Sequence, residues 1–199
     1  MTVNRKFLWL VVLPSAIFFG VVFMEEHKLI KAVVGLGNPG PQFRHNRHNI
    51  GFQVLDILAN SYGAEWHSKE KLEYADIHIG DHPIILIKPQ TFMNSSGEIM
   101  SFLRKKGIDP ESILVVHDEM EKPFGKLAIR LGGSHRGHNG LRSLIGFCGG
   151  DFWRLRFGVG RPEDKSHVSQ YVLSNFDEPQ EEVTKLIEQA IEMIETKVR

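Results

Sequence analysis

The chain has 199 residues, 42% of them hydrophobic and 24% charged, an ordinary globular balance that suits one domain with a core needing neither disulfides nor a structural metal. Lysine plus arginine and aspartate plus glutamate both number 24, so the formal net charge is zero. The single cysteine, Cys148, excludes an internal disulfide and fits a reducing compartment, with the cytoplasm the expected location.

Residues 1–27 read as an apolar N-terminal extension to a domain at 28–199. Phe7 to Met24 is almost wholly apolar and follows Arg5 and Lys6. A membrane anchor, an export signal and upstream sequence translated ahead of a start at Met24 all compete for this stretch. Pro14 interrupts the run and no small-residue cleavage site precedes the first strand, which favours the third reading.

Leu29 to Leu36 is apolar and β-branched, as in a buried strand, and runs into the segment GLGNPG at 35–40. Phe52, Leu55, Leu58, Ala59 and Tyr62 recur at helical spacing and stop at Gly63. Ala75 to Ile79 and Pro83 to Lys88 read as strands joined through Gly80-Asp81. Asn94, Ser95 and Ser96 are N-cap candidates for a helix through Met100 and Leu103 that ends at Gly107. Ile113 to Val116 is a short strand that delivers His117-Asp118-Glu119. Lys126 to Leu131 and Arg154 to Val159 read as strands, and His138 to Phe147 as a helix. Cys148, beside that apolar helix, reads as packing. Val183, Leu186, Ile187, Ala190, Ile191 and Ile194 form one face of a terminal amphipathic helix. Strands and helices intermix, which predicts a single α/β domain with a mixed, twisted β-sheet covered by helices.

The zero net charge hides an asymmetry. Between 126 and 167, Lys126, Arg130, Arg136, Arg142, Arg154, Arg156, Arg161 and Lys165 outnumber Asp151, Glu163 and Asp164. From Asp177 onward acids dominate. A basic patch masked by an acidic helix points to an anionic partner.

Several chemistries are disfavoured in turn. GLGNPG follows a strand as a dinucleotide-binding turn does, but that turn needs a helix to begin at the glycines. Here Pro39 and Pro41 remove amides, and no helical pattern follows at 43–46. His45-x-x-His48 and His135-x-x-His138 have ligand-like spacing, yet no HExxH is present and arginine lies beside each pair. No G-x-S-x-G occurs, and Cys148 lies in no electropositive loop. What remains is water activated by a base. Imidazole, neutral at pH 7, suits that work, and His48 stands in a polar segment ten residues after Asn38. For His117 the favoured reading is a satisfied histidine at a strand end.

Five motifs in register carry a resemblance. GLGNPG, Phe43-x-x-Asn46-Arg47-His48-Asn49-x-Gly51, Pro89-x-Thr91-Phe92-Met93-Asn94-x-Ser96-Gly97, His117-Asp118-Glu119 and Gly132-Gly133-Ser134-His135-Arg136-Gly137-His138-Asn139-Gly140 together resemble the bacterial-type peptidyl-tRNA hydrolases. The similarity runs from about Leu29 into the C-terminal helix. It implies a monomeric esterase that cuts the bond between a peptide and the 3′-terminal ribose of tRNA, with no metal, no cofactor and no stable membrane partner. It implies that His48 is catalytic and that Asp118 orients it. Asn38, Asn94 and Asn139 match the asparagines that line the channel, and Met93 matches an apolar wall. Phe43 stands where tyrosine is common, so an apolar substrate contact survives without the hydroxyl. Arg130, Arg156 and Lys165 fall where the family meets tRNA phosphates. Asn46 replaces a common threonine, and Arg130 a common lysine. Which asparagine meets a developing oxyanion stays open. The rival from another class is a ribosome-associated RNA-binding relative with little or no catalysis, against which the retained His48 and Asp118 speak.

Overall fold

The structure, a computed structural model, describes residues 28–199, without the side chain of Lys165. The extension at 1–27 lies outside the described residues. The strands are β1 (Ala32–Gly35), β2 (His67–Lys69), β3 (Leu72–Ile79), β4 (His82–Pro89), β5 (Ile113–Glu119), β6 (Leu127–Leu131) and β7 (Trp153–Gly158). The α-helices are α1 (Ile50–Ser61), α2 (Met100–Lys105), α3 (Asn139–Cys148), α4 (Val168–Val172) and α5 (Gln180–Val198). The strands form one sheet in the order β2-β3-β4-β1-β5-β7-β6. The central run β4-β1-β5-β7 is parallel, and antiparallel pairs finish both edges. The mixed sheet of the sequence reading is therefore present.

Period-two alternation splits the core into two layers. Val33, Leu86, Leu114 and Val116 face α1 and α5, where Val54, Leu58, Leu186, Ile187 and Ile194 close over them. Ala32, Val34, Ile85, Ile87 and Val115 face the other way, against Met100, Leu103, Leu141 and Leu144. Both faces of the central strands are covered, so β1 and most of β4 and β5 read as continuous apolar runs, whereas β7 alternates with Arg154 and Arg156. Cys148 is half-buried against the second layer. Its thiol bonds to the Leu144 carbonyl at 3.2 Å, and burial pushes its pKa up, as packing predicts.

Three expectations need correction. The strand reading at 75–79 is short, because β3 begins at Leu72 and pairs there with β2, which the sequence did not reveal. His67, Ser68 and Lys69 are all exposed, so no buried face marks them. Asn94, Ser95 and Ser96 cap nothing; a 3₁₀ helix spans Met93–Ile99, entered from Phe92, and Ser96 Oγ donates back to the Met93 carbonyl. Arg154 is not a surface cation but a buried side chain, 3% exposed.

The site follows from the close approach of two glycines. A Cβ on Gly51 would run into Leu36 N and Val116 O, and one on Gly35 into the Gly51 carbonyl. Their absence lets the first turn of α1 lie directly on β1 and β5. The 3₁₀ turn before α1, Arg47–Asn49, is thereby brought to the carboxyl ends of the parallel strands, the usual place for a site in an open α/β sheet. Among the described residues, no helix is long and apolar enough to cross a membrane.

Candidate active site

The carboxyl ends of three parallel strands supply the site. β5 carries Asp118 at its end, inside the strand rather than after it, with 4% of its surface exposed. His48 Nδ1 lies 2.9 and 3.0 Å from the two oxygens of Asp118. Burial raises the pKa of this carboxyl, but its electrostatic and hydrogen-bonded contacts with His48 and His138 outweigh it and hold the carboxyl well below its ordinary range. Asp118 is thus an anion. Burial lowers the pKa of His48, and the Asp118 charge and hydrogen bond more than reverse that, lifting it above the usual 6.5. With Nδ1–H donating to the carboxylate, Nε2 is left bare as a base.

A second histidine, unassigned by the sequence reading, completes the cluster. His138 Nε2 lies 2.9 Å from Asp118 Oδ1. Its Nδ1 caps α3, accepting from the amides of Gly140 and Leu141 at 3.1 and 3.3 Å. A nitrogen that accepts two amide hydrogens carries no proton, so the proton is on Nε2 and points at Asp118. The signal was a histidine one residue ahead of a helix, but histidine is not a usual cap. His117 is only half the satisfied strand-end histidine expected: Nδ1 donates to the Asp118 carbonyl at 2.7 Å, while its buried Nε2 has no hydrogen-bond partner among the described residues. Burial, then the neighbouring His138, pulls its pKa down to about 3, so it stays neutral.

His48, Asp118 and His138 offer ligand atoms within 4.8 Å of one another, the arrangement a metal would need. They combine the second histidine of each H-x-x-H pair with an acid; neither His45 nor His135 joins them. The α3 amides decide the chemistry, because His138 presents an N–H to the cluster instead of a lone pair. The residues fit a hydrogen-bonded triad rather than a metal site.

Around His48 the surface hollows out on two sides. A larger cavity of about 350 Å³ is bounded by Arg130, Arg136, Arg154 and Arg156, the acids Asp118 and Glu119, and the loop Gly132–Gly137. A smaller one of about 260 Å³ is bounded by Asn38, Asn94, Asn139, Phe92, Met93 and Leu173. His48 and Asn139 border both. The structure therefore brings together His48, Asp118, Asn38, Met93, Asn94, Asn139, Arg130 and Arg156. Phe43 lies half-buried in a 3₁₀ turn, Pro41–Phe43, and borders neither cavity. Lys165 opens a 3₁₀ turn, and its side chain is outside the described set.

The polar groups are held in place. Asn38 Oδ1 accepts from Met93 N at 2.8 Å, tying the end of β1 to the segment after β4. Asn49 holds Asn38 from behind, accepting from its N–H and donating to its carbonyl at 3.0 and 2.9 Å. With its oxygen engaged, Asn38 turns an NH₂ donor to the cavity. Arg156 donates to Glu119 Oε2 through Nε and Nη2, at 2.7 and 2.6 Å. Arg154 donates to the carbonyls of Ser134 and Gly133 at 2.8 and 2.5 Å and so straps the glycine loop to β7. Arg47, beside His48, donates to Ser174 Oγ at 2.7 Å and to Asp177 at 2.8 Å, and lies 4.3 Å from the Tyr171 ring. That clamp fixes the His48 turn against the α4 wall. These bonds span 11 to 130 residues of sequence, which is why spacing did not reveal them.

Comparison with known proteins gives the same answer. The peptidyl-tRNA hydrolase family model matches residues 32–199. The peptidyl-tRNA hydrolase of Dichelobacter nodosus is 45% identical over 149 residues, 73% of this chain and 79% of that one. That of Fervidobacterium nodosum is 44% identical over 164 residues, 82% and 86% of the two chains. The crystal structure of peptidyl-tRNA hydrolase from Acinetobacter baumannii superposes with a TM-score of 0.77 at 38% identity, covering 85% of this chain and 86% of that one. With this geometry and these relatives, the chain belongs to the peptidyl-tRNA hydrolase family.

Proposed function

We propose that this protein hydrolyses the ester between a peptide and the 3′-terminal ribose of tRNA, with His48 as general base. The observation that carries the reading is the 2.9 Å pair of His48 Nδ1 and the Asp118 anion at the junction of a basic and a neutral cavity. His48 Nε2 takes a proton from water as the water oxygen attacks the ester carbonyl, and Asp118 stabilises the imidazolium. The carbonyl oxygen becomes an oxyanion, and the Asn38 NH₂, already oriented by Met93 N, is the donor that meets it. The intermediate then collapses. The C–O bond to the ribose breaks, and the departing 3′ oxygen takes the proton from His48 Nε2. Products are a free peptide acid and tRNA.

Asn94 and Asn139 hold the peptide main chain. A neutral carboxamide both donates and accepts, which suits a backbone whose side chains vary. Met93 supplies an apolar wall beside them, and Phe43 a more distant apolar contact. Arg130, Arg156 and Lys165 meet tRNA phosphates, Arg156 while paired with Glu119. The protein works as a monomer in the cytoplasm, where peptidyl-tRNA is made, without metal or cofactor. Release of labelled peptide from peptidyl-tRNA, with free aminoacyl-tRNA as control substrate, tests the reading. Turnover insensitive to EDTA is expected; a wild-type protein that releases no peptide would overturn it.

A further inference from the structure

Among the described residues, Arg136 is the non-glycine residue with a left-handed backbone, at φ 45°. It occupies the first central position of a tight turn closed by His138 N donating to the His135 carbonyl at 2.8 Å. Gly137 follows at φ 86°, so both central residues are left-handed, as in a type I′ turn. Glycine, asparagine and aspartate favour that first position; an arginine there stores strain. The turn is not free to relax. Arg154 straps the carbonyls of Gly133 and Ser134 on one side, and His138, bonded to Asp118, caps α3 on the other.

Nothing within the described residues rewards the guanidinium that this backbone holds out. Arg136 is exposed along the larger cavity, and no hydrogen bond or ion pair there engages it. Two of its three arginine neighbours in the same wall are committed elsewhere, Arg154 to loop carbonyls and Arg156 to Glu119, and the third, Arg130, stands on the edge strand. A strained residue with an unspent charge, two positions from a member of the catalytic cluster, is shaped for a ligand. We propose that Arg136 is a phosphate-binding residue, taking a backbone phosphate of the RNA strand whose 3′ end reaches His48. A planar guanidinium suits this because it can donate to two phosphate oxygens at once. The inference rests on the proposed reaction and adds a contact to it.

The test is Arg136→Gly, with Arg136→Lys as the charge-retaining control. Glycine relieves the strain, so the variant should melt higher than the wild type. Its KM for peptidyl-tRNA should rise several-fold with kcat little changed. The slope of log affinity for deacylated tRNA against log salt should fall by about 0.7–0.9, the loss of one phosphate contact. Hydrolysis of an N-acylaminoacyl ester of adenosine, which has no phosphate, should stay within about two-fold of wild type by the same logic. Arg136→Lys should recover most of the salt slope. Equal tRNA affinity and equal salt slope for Arg136→Gly and wild type would overturn the contact, whatever the turnover. Wild type that binds tRNA with the steeper slope but releases no peptide would overturn the proposed reaction instead, with the contact upheld.

Discussion

The two cavities that share His48 are lined in opposite ways. The larger is walled by four arginines and two acids, the smaller by three asparagines and apolar side chains. Charge suits a ligand that always carries charge, and an RNA backbone presents a phosphate at every step. Neutral amides and a methionine suit a ligand whose side chains change but whose main chain does not. In the proposed reaction, one half of the site would read what is constant by electrostatics, and the other would tolerate what varies. The division also separates observables. Losses in the basic cavity should depend on salt, losses in the asparagine cavity should not, and a loss at His48 should ignore the boundary.

The largest expected effect lies at that shared boundary. His48→Ala should lower kcat by about 10⁴, the upper end for a general base, with tRNA affinity and its salt slope unchanged. Equal turnover by variant and wild type would remove His48 from the mechanism. Asp118→Asn follows, at about 10³, since a neutral amide cannot stabilise the imidazolium, although its Oδ1, at the oxygen both His48 and His138 reach, can still accept from them. The pH profile separates this from a folding defect. His48 must be neutral to act, and its pKa in the wild type is raised above 6.5. The rate should therefore fall as pH drops through a value above 6.5. Without the Asp118 charge only burial acts on His48, and burial lowers the pKa, so the acidic limb of the variant should move to lower pH. A limb that stays in place would detach the carboxylate from the base.

Much of this arrangement is legible in the sequence, and the illegible part has a common cause. β1, β4 and β5 announce themselves because parallel strands buried on both faces carry unbroken apolar runs, here at 32–34, 84–87 and 113–116. β2 is silent because His67, Ser68 and Lys69 bury nothing. The residues that border the cavities stand at strand and helix ends and belong to recognisable motifs, so Asn38, His48, Asn94 and Asp118 can be picked out in advance. Their supports cannot. His138 joins Asp118 across 20 residues, and Asn49 grips Asn38 through backbone groups that no pattern marks. Formal charge misled most: Arg154 and Arg156 look like free cations in a list of charges, yet one is spent on carbonyls and the other on Glu119.

Asn38→Asp probes the neutral cavity with almost no change in shape. The carboxylate can still accept from Met93 N, so the tie between β1 and the segment after β4 survives. What disappears is the NH₂ donor, and a negative charge replaces it where the oxyanion forms. A drop in kcat of about 10² is expected, in keeping with the loss of one oxyanion donor. KM and its salt dependence should change little. If the loss appears in KM alone, Asn38 binds the peptide ground state and the oxyanion donor is elsewhere, with Asn94 next in line.

The smallest effect should come from Arg130→Ala, and it sharpens the contrast most. Arg130 borders the basic cavity from β6, an edge strand, and no internal ion pair engages it among the described residues. Removing it should raise KM for peptidyl-tRNA a few-fold and reduce the salt slope by about one phosphate contact, leaving kcat intact. Arg156 predicts a different pattern under the same substitution. Its removal leaves Glu119 buried without its cation, at 8% side-chain exposure, so the melting temperature should fall while the salt slope moves less than for Arg130. The slopes therefore rank the arginines by how much charge each still has to give an RNA. A larger slope change at Arg156 than at Arg130 would mean that the Glu119 pair opens when tRNA binds.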